Sequence, residues 1–186
     1  MSGSGWAAGD YLDRPLRDLL EDVAGTDPLP AAGSLVAVLG ALAAGLAAKV
    51  ARRSTSQRPD AEAIAERADL LRQRLEPIIT GDAARYAEAL ATEGNRAERH
   101  SAMLEASSGP VVVAETAAEI AEIAAALAAN CNPNLRVDAA AVAWFAASVA
   151  EVSADLTAAN VGESEPLRAA RTAATRARAA AERTRG

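Results

Sequence analysis

The sequence predicts an all-α fold, a multihelical bundle of about seven helices. Three observations carry this reading. Alanine supplies 51 of the 186 residues and aromatic residues only 3%, a composition weighted toward the best helix former. Apolar residues recur with a 3.6-residue period through long stretches, and none alternates as a half-buried strand would. The prolines stand at Pro15, Pro28, Pro30, Pro59, Pro77, Pro110, Pro133 and Pro166, dividing the chain into segments of helix length.

A first helix is expected over residues 12–23, with Pro15 in its first turn and Gly25 just past its end. The second covers residues 33–53. The third, residues 60–79, takes Asp60 as N-cap after Pro59, and Pro77 ends or kinks it. Thr80 and Gly81 separate it from a fourth helix over residues 82–107, with Asp82 as N-cap. Ser108-Gly109-Pro110 is a break before a fifth helix, residues 111–130. Cys131-Asn132-Pro133-Asn134 is another, before a sixth helix over residues 138–159. The seventh, residues 165–183, is rich in Arg and Ala. No internal repeat is present. Residues 10–186 are expected to form a single domain behind a flexible segment, residues 1–9.

Small side chains let helices approach closely but bury little apolar area each, so a core of this kind favours completion by a second copy. The formal charge of −6 and pI near 4.9 argue against nucleic acid as the main partner. The one cysteine, Cys131, excludes an internal disulfide framework and a Cys-based zinc cluster, and the one histidine, His100, excludes a His-rich metal site. The apolar run at residues 35–48 has 14 uncharged residues and is followed by Lys49, Arg52 and Arg53; a spanning helix needs about 20. Asp10, Asp13, Asp18, Glu21 and Asp22 precede it, where a signal peptide would be basic. The run reads as a closely packed helix of a cytoplasmic protein without a membrane partner.

Three breaks have chemical character. Pro28-Leu-Pro-Ala-Ala-Gly33-Ser34 leads into a long helix whose first N–H groups are free to hold a carboxylate, a phosphate or a polar ring; equally, the prolines stop one helix and Gly-Ser starts another. Asn130-Cys-Asn132-Pro-Asn134-Leu-Arg-Val-Asp138 gathers amides suited to a heterocyclic amide, or forms an Asx-turn with Asp138 as N-cap. Asp82, one turn before Tyr86, is on its own an N-cap.

In this order the breaks resemble the cyclodeaminase/cyclohydrolase family: the C-terminal domain of formiminotransferase-cyclodeaminase and the stand-alone methenyltetrahydrofolate cyclohydrolases of the same fold. The family's P-x-P-G-G-G-S-V-A-A is matched by Pro28-Leu-Pro30-Ala31-Ala32-Gly33-Ser34-Leu-Val-Ala37. Its D-A-x-A-[FY] is matched by Asp82-Ala83-Ala84-Arg85-Tyr86, and its G-N-P-N-x-x-S-D-A by Cys131-Asn132-Pro133-Asn134-Leu135-Arg136-Val137-Asp138-Ala139. Of a later N-V-x-x-N, Asn160 is kept. The resemblance implies an all-helical, dimer-forming protein acting on folate one-carbon units, with no metal and no cofactor beyond the tetrahydrofolate substrate itself. It implies Asp82 and Asp138 as the catalytic carboxylates. Gly33, Ser34, Tyr86, Asn132, Asn134 and Asn160 are then substrate contacts.

The departures fall at the same places. Ala31 and Ala32 replace glycines, Arg85 an alanine, Cys131 a glycine, Val137 a serine and Leu156 an asparagine. A basic stretch after the second helix is replaced by residues 54–59, where Arg52, Arg53 and Arg58 remain to hold a glutamate tail. Two further readings stand beside the folate one: a relative carrying out another ring-forming or ring-opening step, and an inactive helical scaffold that docks through its Arg-rich last helix. Lys49, the only lysine, is either a Schiff-base former or a surface charge. Trp144 and Phe145 are expected in the core or at a dimer contact.

Overall fold

The computed structural model describes residues 11–27, 30–91 and 96–185; for residues 82, 83, 86, 87, 90, 96, 99 and 100 it describes the backbone alone. The segment expected to be flexible, residues 1–9, lies outside them. Seven α-helices stand among the described residues: α1 Leu16–Ala24, α2 Ala32–Arg52, α3 Ala61–Ala91, α4 Arg96–Ala106, α5 Ser108–Ala129, α6 Arg136–Val161 and α7 Glu165–Glu182. Short 3-10 turns occupy Tyr11–Asp13, Pro133–Leu135 and Arg183–Arg185, and no strand occurs among the described residues.

The core is built largely of alanine. α2 packs on α3, α5 and α6, and α5 packs on α6 and α7. Ala37, Ala44, Ala48, Ala117, Ala121, Ala143 and Ala150 are fully buried where these helices meet. The closeness of approach is plainest at Gly40, where an added Cβ would stand 2.8 Å from Leu75 Cδ1 of α3 and 3.6 Å from Val149 Cγ1 of α6. Only glycine lets α2 sit this deep between its two neighbours. By length and apolarity α2 and the segment Pro133–Val161 match membrane-spanning helices, yet 56% and 50% of their apolar 18-residue stretches is buried inside the bundle.

The long helices lie where the periodicity puts them, but four boundaries differ, one being that Ser108-Gly109-Pro110, expected as a break, is the first turn of α5 after a turn at Ser107. The expected break at Thr80-Gly81 is absent: α3 runs unbroken from Ala61 to Ala91, through Pro77 and Gly81. Pro77 removes one N–H and leaves the Gln73 carbonyl without its helical donor. Both residues are exposed, so Pro77 lies on the solvent side of the helix, while Leu75, Ile78 and Ile79 remain buried on the other face. Asp82 is therefore an interior residue of α3 and not an N-cap. The fourth expected helix is divided, its first part belonging to α3 and its second forming α4. Asp138 is likewise not an N-cap: α6 begins at Arg136, with Leu135 in the cap position. At the amino end, α1 starts after Pro15, and the 3-10 turn Tyr11–Asp13 precedes it.

α1 buries only Leu19, leaving Leu16, Leu20 and Val23 exposed. The Arg-rich α7 is braced to the bundle. Arg176 grips Glu122 of α5 at 3.0 and 2.9 Å, and Arg178 grips Glu151 of α6 at 2.6 and 2.7 Å. Arg67 of α3 holds Glu119 of α5 in the same two-pronged way, at 2.5 and 2.7 Å. Trp144 is half-buried beneath Arg178 and Arg185, whose guanidinium carbons stand 5.3 and 3.9 Å from its ring centre. Phe145 is exposed, which removes it from the core of the single chain. Lys49 is exposed as well.

Candidate functional site

The residues singled out from sequence fall into two groups. The first surrounds the turn between α5 and α6. Pro133 ends any helix continuing from α5, and Asn132 turns the chain. Its Oδ1 accepts from the Asn134 N–H at 3.1 Å, an Asx-turn, and its Nδ2 donates to the Arg53 carbonyl at 3.3 Å. Ser54, buried just past α2, donates to the Val50 carbonyl at 2.7 Å and accepts from the Asn132 N–H at 3.0 Å. Asn130 Nδ2 donates to the Gln57 carbonyl at 3.2 Å. Asp138 is half-buried in the first turn of α6, and Asn134 is exposed. Burial pushes the Cys131 thiol up from its ordinary range, against the opposite pull of Arg136 and Arg58.

The cations expected to hold an acidic tail here are mostly engaged. Arg58 binds both oxygens of Asp60 at 3.0 and 2.8 Å and the Ala126 carbonyl at 2.8 Å; this grip holds the Asp60 carboxyl below its ordinary range. Arg52 is paired with Asp69 of α3. Arg53 is exposed and makes no ion pair among the described residues.

The second group surrounds the start of α2. Ala31 occupies the cap position with φ −108° and provides no side-chain cap. Among the described residues no non-glycine has positive φ, so Ala31 and Ala32 stand where the family has glycines without backbone strain. Both methyls are exposed, and Gly33 is half-buried. Ser34, in the first turn, is 1% exposed, and its hydroxyl has no hydrogen-bond partner. α3 runs antiparallel to α2: Gly40 lies against Leu75, and Gly45 against the Arg72 side chain. Continued for under two turns, this register puts Ser34 at roughly the level of residue 82 of α3. Asp82 and Tyr86 are thus on the stretch of α3 beside the α2 start. Thr80 is fixed there as well, its hydroxyl accepting from the Tyr11 N–H at 3.1 Å. α6 is also antiparallel to α2, beginning beside Arg53 and passing Gly40 at Val149, so half-buried Asn160 in its last turn comes to this end too.

The two groups do not meet in one chain. Ser34 and Arg53 bracket α2, which at ordinary helical rise separates them by about 28 Å. Gly33, Ser34, Asp82, Tyr86 and Asn160 stand at one end, and Asn132, Asn134 and Asp138 at the other. An open groove of about 670 Å³ lies elsewhere, between α6 and α7, lined by Glu151, Asp155, Arg171, Thr175, Arg178 and Glu182. It contains none of these residues, and its arginines are already paired with Glu151 and Glu163. Among the described residues no three His, Cys, Asp or Glu side chains cluster as a metal ion requires. Sequence reasoning missed Ser54. A serine just beyond a helix carries no pattern of its own, and its role arises only from contact with Asn132.

The family profile of formiminotransferase-cyclodeaminase matches the chain over residues 15–179. No curated protein sequence matches it. Among solved structures, the crystal structure of formiminotetrahydrofolate cyclodeaminase from Thermotoga maritima aligns with a TM-score of 0.85 over 94% of this chain and 95% of that one, at 23% sequence identity. At that identity the likeness establishes the all-helical fold.

Proposed function

The chain belongs to the formiminotransferase-cyclodeaminase family, and from that premise we propose that it is an enzyme of folate one-carbon metabolism, a cyclodeaminase or cyclohydrolase. The observation that carries the reading is the family match over residues 15–179. Both reactions pass through a tetrahedral carbon between two nitrogens. In cyclohydrolysis, water adds to the methenyl carbon, the C–N5 bond breaks, N5 gains a proton and a 10-formyl group results. In cyclodeamination, N10 adds to the formimino carbon and ammonia leaves. A carboxylate that moves protons and faces the amidinium-like cation serves either course. In this reading Asp82 and Asp138 are those carboxylates. Asn132 and Asn134 hold the ring system, Tyr86 and Asn160 are further substrate contacts, and the Gly33-Ser34 helix start supplies backbone N–H groups to the substrate.

The working unit in this reading is a homodimer. α2 is apolar on both faces: beneath it lies the alanine core, and outward it presents Leu39 and Leu42, 53% and 65% exposed. Phe145 and Val152 of adjacent α6 extend the apolar surface. A helix apolar all round belongs in an interior. Two copies packed about a two-fold axis near the middle of α2, with their α2 helices antiparallel, set the Asn132–Asp138 end of one beside the Ser34–Asp82 end of the other. That arrangement supplies both carboxylates to one site.

The test follows the absorbance of 5,10-methenyltetrahydrofolate, and ammonia release from 5-formiminotetrahydrofolate, with wild type and Asp138→Asn. Acceleration of either by wild type and not by the variant is expected. No acceleration and no folate binding at high protein concentration would remove the folate assignment.

A further inference from the structure

We propose that Arg85, together with the start of α2, forms a binding site for a carboxylate group of the substrate. The inference deepens the folate reading and rests on it only for the identity of the molecule carrying the carboxylate.

Arg85 lies on α3 and is half-buried. Its Nε is fully buried with no hydrogen-bond partner, and the side chain makes no ion pair among the described residues. A buried guanidinium N–H without an acceptor is costly, and arginine reaches such places to meet an anion. The chain shows what this edge of the fork does elsewhere. Arg176, Arg178 and Arg67 each present Nε and a terminal nitrogen to the two oxygens of one carboxylate. Arg85 has the same edge and, among the described residues, no glutamate paired with it.

Its position completes the argument. The guanidinium folds back along α3 over Gly81, where an added Cβ would come within 3.0 Å of Nη1, so it stands at the level Ser34 occupies across the helix pair. There α2 begins without a side-chain cap, leaving its first-turn N–H groups to face an acceptor. The Ser34 hydroxyl is buried and unpartnered, and the tilt of helical Cα–Cβ bonds directs it toward that same end. A guanidinium edge, a hydroxyl and a helix N-terminus are all donors, and together they suit a planar oxyanion. A substrate that carries a carboxylate gains orientation when that group is held here.

The experiment is titration calorimetry and thermal unfolding of the full chain, as wild type, Arg85→Leu and Arg85→Lys. The probes are 5-formyltetrahydrofolate, a counterpart with no carboxylate (the methylamide of 5-formyltetrahydropteroic acid), citrate and inorganic phosphate. Arg85→Leu is expected to weaken binding of the glutamate-bearing compound about tenfold or more while sparing the other, and Arg85→Lys to lose less. Equal weakening of both compounds, or of neither, overturns the proposal. If neither pterin binds wild type, the folate reading fails, and citrate then tests the arginine. A citrate-dependent rise in melting temperature that Arg85→Leu abolishes upholds the carboxylate site. The same rise in both proteins, no rise, or a larger Arg85-dependent rise with phosphate overturns it. Without ligand, Arg85→Leu is expected to melt no lower than wild type; a marked fall would make Arg85 a structural residue and overturn the proposal.

Discussion

The side-chain amide of Asn132 donates to the backbone carbonyl of Arg53 at 3.3 Å, joining the turn before α6 to the end of α2 across 79 residues of sequence. With Ser54 accepting from the Asn132 N–H, this knot fixes where α6 begins. Asn132→Ala is expected to lower stability by about 1–2 kcal/mol, losing two hydrogen bonds of its side chain. Ser54→Ala is expected to cost a similar amount by stranding the Asn132 N–H. Urea unfolding of each variant reads the loss; midpoints equal to wild type would show the knot to be dispensable.

A site shared between copies makes a specific prediction about mixtures. Asp82→Asn and Asp138→Asn are each expected to be inactive alone. After unfolding and refolding together, mixed dimers carry one site with both lesions and one with neither, restoring about one quarter of wild-type activity. No recovery, with mixed dimers verified by mass spectrometry, would place each site within a single chain. In the same scheme Leu42→Glu sets two carboxylates in an apolar contact and is expected to yield monomers on sedimentation.

Gly40 tests the packing of the core. Gly40→Val adds atoms toward Leu75 and Val149, which are buried with no room to retreat. The expected cost is about 1–3 kcal/mol from overpacking, read from the thermal midpoint and unfolding enthalpy. Gly45, whose added Cβ would meet only the Arg72 side chain at 3.7 Å, is the control: Gly45→Ala is expected to be neutral or stabilising.

Cys131 supplies the pH dependence. Burial raises its folded pKa above the unfolded value, so folding favours the neutral thiol. That contribution is complete below the unfolded thiol pKa and is lost as pH rises through the folded one. Alkylation of native protein near neutral pH is expected to be slower than that of a free cysteine, and to accelerate in alkaline solution or on unfolding. Labelling rates measured against pH, with Cys131→Ser as blank, decide it; a fast reaction at neutral pH would mean the thiolate is stabilised.

Much of this fold could be read in the sequence, for reasons visible at particular residues. Pro133 and the asparagines around it stop α5 and start α6 whatever the surroundings, and Ser164-Glu-Pro166 starts α7 with a serine that does cap it. Pro77 misled because its effect depends on which side of the helix it faces, and it faces water. Gly81 misled because a glycine inside a helix looks like a glycine ending one, until the buried residues on either side hold the helix together. The motif residues could be picked out along the chain one by one. Their separation by the length of α2 was not, because spacing along the chain does not say which ends of two helices adjoin. Nor was the lack of a partner for Arg85 among the described residues, since pairing across helices depends on how they pack.

The alanine core has a consequence for temperature. An alanine side chain has no rotamers to freeze, so ordering Ala37, Ala44, Ala121, Ala143 and their neighbours costs backbone freedom and little else. Each also withdraws less apolar area from water than a leucine would, and the heat-capacity change on unfolding follows that area. The stability of this protein should therefore vary with temperature along a shallow arc. It gives up some height at the maximum and keeps more of its stability on both the warm and the cold side.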